Sequence, residues 1–384
     1  MQTSLPNLKA RMQALIATPS VSAVSDEWDM SNRPVIDLLA SWFETLGFSV
    51  VIQPVGDADK NKANMIATLG SGAGGLVLAG HTDTVPFNES RWQHNPLSLT
   101  EADDRFYGLG TCDMKCFFAL IIEAVLPLLD QPLKQPLIVL ATCDEESTMR
   151  GAKSLTEQSL GKPRAAMIGE PTSLKPIRMH KGIMMEAITV TGQSGHSSNP
   201  ELGHNALDAI HDMITELKTL RTELKDKYQN PAFAVNYPTM NLGCIHGGDN
   251  PNRICNSCEL HFDFRGLPGM QNEEIRQLIM QRLQPIADQH QVTLDRRALF
   301  DGVEAFEQAE DSELVQLVES LTGSNSEAVA FGTEAPYLKN LGIDTVVMGP
   351  GSIDQAHQPN EFIAFDQIKP STQLIQAMIR NYCL

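Results

Sequence analysis

Basic residues are the scarce class in this 384-residue chain: 29 Lys and Arg stand against 47 Asp and Glu, a net charge of −18. So acidic a surface is repelled by phosphate backbones and anionic headgroups, which excludes nucleic acid and membranes as expected partners. There is no 18-residue apolar run of the kind that crosses a bilayer. The opening residues, Met1-Gln2-Thr3-Ser4-Leu5-Pro6, lack a charged stretch followed by an apolar core, so no signal peptide is read there and a cytoplasmic location is expected. Cysteine is sparse and odd in number: Cys112, Cys116, Cys143, Cys244, Cys255, Cys258 and Cys383. That scatter suits a reducing compartment, not a disulfide framework. Cys255 and Cys258 form a lone C-x-x-C with no second pair, which reads as small buried strand residues and not as a zinc ribbon. Internal repeats and low-complexity tracts are also missing.

What is present is a run of alternating strands and helices long enough for about two or three domains. Leu8, Met12, Leu15 and Ile16 share one helical face, and Pro19 stops that helix. Asn32 reads as an N-cap with Pro34 just inside, and Gly47 closes the following helix. Strands are expected near 48–53 and 63–69. Leu76-Val77-Leu78-Ala79, bounded by Gly74 and Gly75, is a buried strand that delivers His81 to its C-terminal end. Open α/β sheets place their ligands at that end. Asp83, two residues on, falls on the same side and can hold the second N–H of the imidazole.

The stretch 115–129 is apolar nearly all round and predicts a helix in the domain core. Asp113 then sits at or before its N-terminus, where a carboxylate is favoured even as a plain cap. Leu137-Ile138-Val139-Leu140-Ala141 is another buried strand, running into Asp144-Glu145-Glu146. Three consecutive carboxylates repel one another, and either a polyvalent cation or solvent must offset that. Ala165 to Ile168 repeats the pattern and ends at Glu170. A strand around 345–348 precedes Gly351 and His357, and Pro370 opens a last helix.

Between 182 and 303 the pattern changes to β-α-β-β-α-β, a ferredoxin-like sandwich inserted into the first domain. The predicted architecture is therefore α/β: a mixed-sheet domain (1–181 and 304–384) carrying an inserted ferredoxin-like α+β domain (182–303).

Taken together, the strand ends present two imidazoles and three carboxylates: His81, Asp113, Glu146, Glu170 and His357. A mixed N/O set suits zinc foremost, with cobalt or manganese as alternatives. If Asp113 bridges, two metal ions with one terminal His and one terminal carboxylate each use the set completely. Two-metal hydrolases hold their ions about 3.5–4 Å apart and activate water near neutral pH. Glu145 is then left over to take the proton of that water.

The chain here resembles a known family, the zinc-dependent aminoacylase, deacetylase and carboxypeptidase superfamily of co-catalytic metallopeptidases. The resemblance rests on G-H-x-D-x-V at 80–85, G-x-x-D-M-K at 110–115, D-E-E at 144–146, G-E-P at 169–171 and A-H-Q-P at 356–359, five ordered motifs spread along the chain. It implies a mixed-sheet two-metal hydrolase domain whose inserted domain, 182–303, is a lid carrying the dimer contacts; that His81 and Glu170 hold one metal ion, that Glu146 and His357 hold the other, and that Asp113 bridges. It implies that Asp83 orients His81 and that Glu145 is the general base and later acid. His196 is implied to reach the active site of a partner subunit in a homodimer as an oxyanion donor, and Asn252, Arg265 and Gly351 to bind the carboxylate of a small N-acyl amino acid. Glu334, in Gly332-Thr333-Glu334-Ala335-Pro336, is the candidate for a cationic group on the substrate. Cys116 departs from the Gly that commonly follows D-M-K. Glu170, where peptidase members often carry Asp, accords with the deacetylase and desuccinylase branch. The alternatives are a succinyl-diaminopimelate desuccinylase or broad aminoacylase of the same fold, and a non-catalytic binding member. The presence of Glu145 argues against the last.

Overall fold

The computed structural model describes residues 5–56 and 60–384. Met1 to Ser4, part of the opening stretch in which no signal peptide was read, lie outside the described residues. The chain divides into two compact units, one of residues 1–178, 308–327 and 333–384, the other of 179–307 and 328–332.

The first unit is built on a mixed sheet in which Ser49–Val55, Lys62–Leu69, Leu137–Thr142, Leu76–His81, Ala165–Pro171 and Asp344–Gly349 lie side by side in that order. Leu76–His81 runs parallel to Leu137–Thr142 and to Ala165–Pro171, and Asp344–Gly349 runs parallel to Ala165–Pro171. Every residue of Leu76–His81, Leu137–Thr142 and Ala165–Pro171 is buried. Apolar runs with no polar alternation are what a sheet covered on both faces requires. Register then decides where the chemistry lies. His81 pairs with Thr142 and Ala79 with Ile168, so the strands release His81, Asp144-Glu145-Glu146 and Glu170 at one edge of the sheet.

The expected helix after Asp113 runs from Cys116 to Val125, and the 3-10 turn Leu126–Leu128 takes up the rest of the apolar stretch, where Pro127 removes a donor N–H. Nine of its ten residues are buried, so it lies inside the core. Its neighbours there include Met12, Leu15, Ile375 and Met378. Each fully buried Leu or Phe in such a core contributes about 1.5–3 kcal/mol. The last helix spans Phe365–Cys383, so Pro370 lies inside it and does not open it. Two contacts bring the start forward: the Phe365 ring packs against Phe106 at 4.7 Å, and the Phe365 N–H donates to the Asp104 carbonyl. A three-stranded sheet of Phe362–Ala364, Arg105–Tyr107 and Thr100–Ala102 was not apparent in the sequence. Its strands are three residues long, too short for alternation to register.

The second unit holds a four-stranded antiparallel sheet ordered Thr239–Gly247, Ser257–Arg265, Ile183–Thr191 and Thr293–Val303, with helices Ala206–Lys227 and Asn272–His290. This is the β-α-β-β-α-β order of a ferredoxin-like sandwich. The strand Ser257–Arg265 alternates strictly, with Cys258, Leu260, Phe262 and Phe264 buried. All seven cysteines are free thiols, and Cys255 and Cys258 are both buried.

Candidate metal centre

The strand-end residues of the first unit converge. The Nε2 of His81 lies 3.0 Å from Oδ1 of Asp113 and 3.8 Å from Oε1 of Glu170. The Nε2 of His357 lies 2.9 Å from Oε2 of Glu146 and 3.4 Å from Oδ2 of Asp113. Asp113 thus turns one carboxylate oxygen to each imidazole. Among the described residues, three sets have ligand atoms mutually within 4.8 Å: His81, Asp113 and Glu170; Asp113, Glu146 and His357; and His81, Glu145 and Glu146. The first two share Asp113 and between them take in the five residues gathered from the sequence. The third brings Glu145 within ligating reach as well.

Local backbone explains the presentation. Asp113 lies just ahead of the buried helix Cys116–Val125, and its carboxylate faces the two imidazoles instead of capping the helix. Asp144 and His357 take left-handed backbone, with φ of 59° each. Non-glycine residues there are uncommon and persist where their surroundings hold them. For Asp144 the holder is visible: its Oδ1 accepts from the Lys62 ammonium at 2.7 Å and from the Ser22 hydroxyl at 3.0 Å. Lys62, itself buried, also donates to Asp29. This buried pair fixes the turn that presents Glu145 and Glu146, and the sequence carried no signal for it.

Asp83 behaves differently from the expected contact. The Nδ1 of His81 meets the main-chain oxygen of Asp83 at 3.0 Å, while the nearest Asp83 carboxylate oxygen is 3.8 Å away. That carboxylate instead accepts from the Glu146 N–H at 3.1 Å. Asp83 therefore touches both ligand-bearing loops, and it is a carbonyl that sets the tautomer of His81, placing the proton on Nδ1 and leaving Nε2 to face the carboxylates.

Burial and mutual repulsion shape the electrostatics. Burial, then the Glu170 charge, pushes the Glu145 carboxyl well up, and burial raises Glu170 likewise. Hydrogen bonds donated to the Asp113 and Glu146 carboxylates raise His357 to about 10. Burial lowers His81, but the Asp113 hydrogen bond and the Glu170 charge outweigh it and hold the imidazole well above its usual range. The Oε1 of Glu170 and the Oδ1 of Asp83 are buried with no hydrogen-bond partner. Orphaned buried oxygens among crowded carboxylates are what a divalent cation would satisfy, and the N/O donor set fits one.

A cleft of about 830 Å³ in this unit is lined by Pro19, Val21, Trp28, Met30, Pro86 and Phe87 among others, and none of the clustered carboxylates lines it.

The chain belongs to peptidase family M20/M25/M40, whose profile matches residues 77–381. Acetylornithine deacetylase of Proteus mirabilis (strain HI4320) is 49% identical over 384 residues, covering 100% of this chain and 99% of that protein. Acetylornithine deacetylase of Edwardsiella ictaluri (strain 93-146) is 50% identical over 383 residues, covering 100% of both. Among solved structures, the M20 family metallo-carboxypeptidase Sso-CP2 from Sulfolobus solfataricus superposes with a TM-score of 0.75 at 18% identity, covering 98% of this chain and 99% of that one. A dinuclear metal binding peptidase of the family from Bacillus subtilis gives a TM-score of 0.68 at 15% identity, covering 97% and 96%.

Other residues singled out in this family member are placed as follows. Glu334 is buried in the first unit; its Oε2 accepts from Thr142 at 2.9 Å, its Oε1 has no partner, and burial raises its carboxyl to about 7. Gly351 has φ of 81°, and a Cβ there would stand 2.4 Å from the sulfur of Cys112. In the second unit, the Asn252 carbonyl accepts from the Ser197 N–H at 3.1 Å, which sets Asn252 beside the His196 loop. The Nδ1 of His196 accepts from the Ser198 N–H at 3.2 Å. In the neutral ring the proton then sits on Nε2, which can donate. Arg265 donates through Nε to both oxygens of Asp263, at 2.9 and 3.1 Å.

Proposed function

We propose that this chain hydrolyses N2-acetyl-L-ornithine to L-ornithine and acetate, a step of arginine biosynthesis, in the cytoplasm. The observation that carries the reading is the Asp113 carboxylate turned with one oxygen toward each imidazole, in a chain that matches acetylornithine deacetylases from end to end. His81, Asp113 and Glu170 would hold one divalent ion, and Asp113, Glu146 and His357 a second. Zinc is the foremost candidate, with cobalt or manganese as alternatives. Bound there, the ions would supply Lewis acidity toward the amide carbonyl and an activated water near neutral pH.

The residues of the chain do the remaining work. Glu145 takes a proton from the attacking water and returns it to the amine as the C–N bond breaks. Its desolvated carboxyl, raised by burial and pulled part of the way back by the His81 charge, suits both directions. His196 donates from Nε2 to the amide oxygen as that oxygen gains charge, from a partner subunit in a homodimer. Arg265, Asn252 and the Gly351 turn bind the α-carboxylate, and Glu334 takes the δ-ammonium. Residues 182–303 form the lid and dimerisation domain.

The test is a panel of acetyl- and succinyl-amino acids, with N2-acetyl-L-ornithine among them, on metal-reconstituted protein. The acetylornithine substrate is expected to lead in kcat/KM. A preference for a succinylated diamino acid would move the reading to a desuccinylase. No turnover of any member by fully loaded protein would mean a binding role.

A further inference from the structure

Glu361 lies four residues past His357, outside the five motifs, and is 1% exposed. Its Oε1 accepts from the N–H groups of Cys112 at 2.7 Å, Asp113 at 2.9 Å and Gly110 at 3.1 Å. Its Oε2 lies 3.1 Å from the same Gly110 N–H. Its main-chain oxygen accepts from the Gly108 N–H at 3.0 Å. Four amides of the segment 108–113 thus end on one residue. They precede the buried helix and belong to no strand. A buried amide without a partner and a buried carboxylate without one are both costly, and here each satisfies the other. Burial and the Asp113 charge push the Glu361 carboxyl up, to about 8, while the three N–H donors, which can serve only an acceptor, pull against that.

A buried carboxylate that merely stapled a loop could end on any amide. This one ends on the N–H of Asp113, whose side chain faces both imidazoles, and it starts from the loop that carries His357. We propose that Glu361 is a positioning residue of the metal centre: it ties the Asp113 loop to the His357 loop and sets the separation of these two ligands. The inference rests on the metal-centre reading above. Loss of an outer partner of this kind costs roughly 10–100-fold in metal affinity or activity. Glu361→Gln keeps the size and one acceptor but sets an NH2 group against an N–H donor and removes the charge. Glu361→Ala removes the tie altogether.

Cobalt is the probe. Apo-protein of full length is titrated with Co2+ and followed by visible absorption, with the metal-free Tm measured in parallel. Both variants are expected to bind cobalt about 10–100-fold more weakly and to show an altered cobalt band, because Asp113 and His357 no longer meet in the same geometry. A lowered metal-free Tm with unchanged cobalt affinity and band would reduce Glu361 to a structural staple and overturn the inference. Wild-type protein that takes up no cobalt would overturn the metal centre itself, and the inference with it. Should neither variant fold, hydrogen exchange on the wild-type chain decides. The amides of Gly108, Gly110, Cys112 and Asp113 should exchange as slowly as the core strands, and faster exchange typical of an exposed loop would sink the proposed tie.

Discussion

At the residue scale, the division of labour between adjacent carboxylates is the sharpest question. Glu145 and Glu146 share an acidic strand end, yet only Glu146 meets His357, while Glu145 lies close enough to His81 and Glu146 to ligate in its own right. If Glu145 is the proton carrier, Glu145→Gln should keep the full metal content and substrate affinity while kcat drops by about 10²–10⁴. Elemental analysis beside steady-state kinetics checks this. Loss of an ion in the variant would make Glu145 a ligand and reverse the pair. The candidate ligands were legible in the sequence because each lies at or beyond the end of a buried strand or just ahead of a buried helix, within a recognisable motif. The residues that hold them were not. Lys62, whose ammonium pins Asp144, and Glu361, whose carboxylate gathers the 108–113 amides, act through contacts between segments about 80 and 250 positions apart. Neither shows a periodicity or a spacing that a linear reading could use. Asp83 shows the finer limit: its place beside His81 was readable, but not that its carbonyl would take the imidazole N–H and its carboxylate the Glu146 amide.

At the scale of elements, the site depends on two strands approaching without side chains between them. A Cβ on Gly349 would stand 2.1 Å from the Gly169 carbonyl oxygen, and one on Gly169 would stand 2.3 Å from the Phe117 ring. Gly169 directly precedes Glu170, and Phe117 belongs to the core helix, so the glycine lets strand and helix close together behind a ligand. Gly169→Ala must push either the ring or the strand end aside. Overpacking of this kind costs about 1–3 kcal/mol. The urea midpoint should fall accordingly, and because the displacement falls at Glu170, zinc stoichiometry should fall with it. A loss of stability with both ions retained would show that the helix yields and the strand end does not. Elements of this kind were readable from composition: long apolar runs for buried strands, a nearly all-apolar stretch for the core helix. The strands of 100–107 and 362–364 are too short to announce themselves. Pro370 misled because proline is commonest at a helix start, whereas here the Phe365 packing and the Asp104 carbonyl start the helix five residues earlier.

At the scale of the whole molecule, the proposed metal ligands and the proposed general base, Glu145, belong to one compact unit, and His196, Asn252 and Arg265 to the other. The proposed reaction therefore draws on residues from both units, and the proposed homodimer supplies His196 from the second chain. That arrangement makes a claim that no single variant can test. His196→Ala should lower kcat by about 10²–10³, the usual loss for one oxyanion donor, with metals and fold intact. Glu145→Gln should be comparably impaired for a separate reason. Mixing the two impaired proteins, and letting subunits exchange under mild urea followed by dilution, should restore one working site in each mixed dimer. That site would take Glu145 from one chain and His196 from the other. The second site of the same dimer would carry both lesions and stay silent, so recovered activity should track the fraction of mixed dimers measured by native mass spectrometry. A residual rate from either parent would not do so, since it is present before exchange begins. If mixed dimers form and activity does not return, His196 acts within its own chain or takes no part. If no dimer is found at any concentration, the trans reading falls before the kinetics are measured.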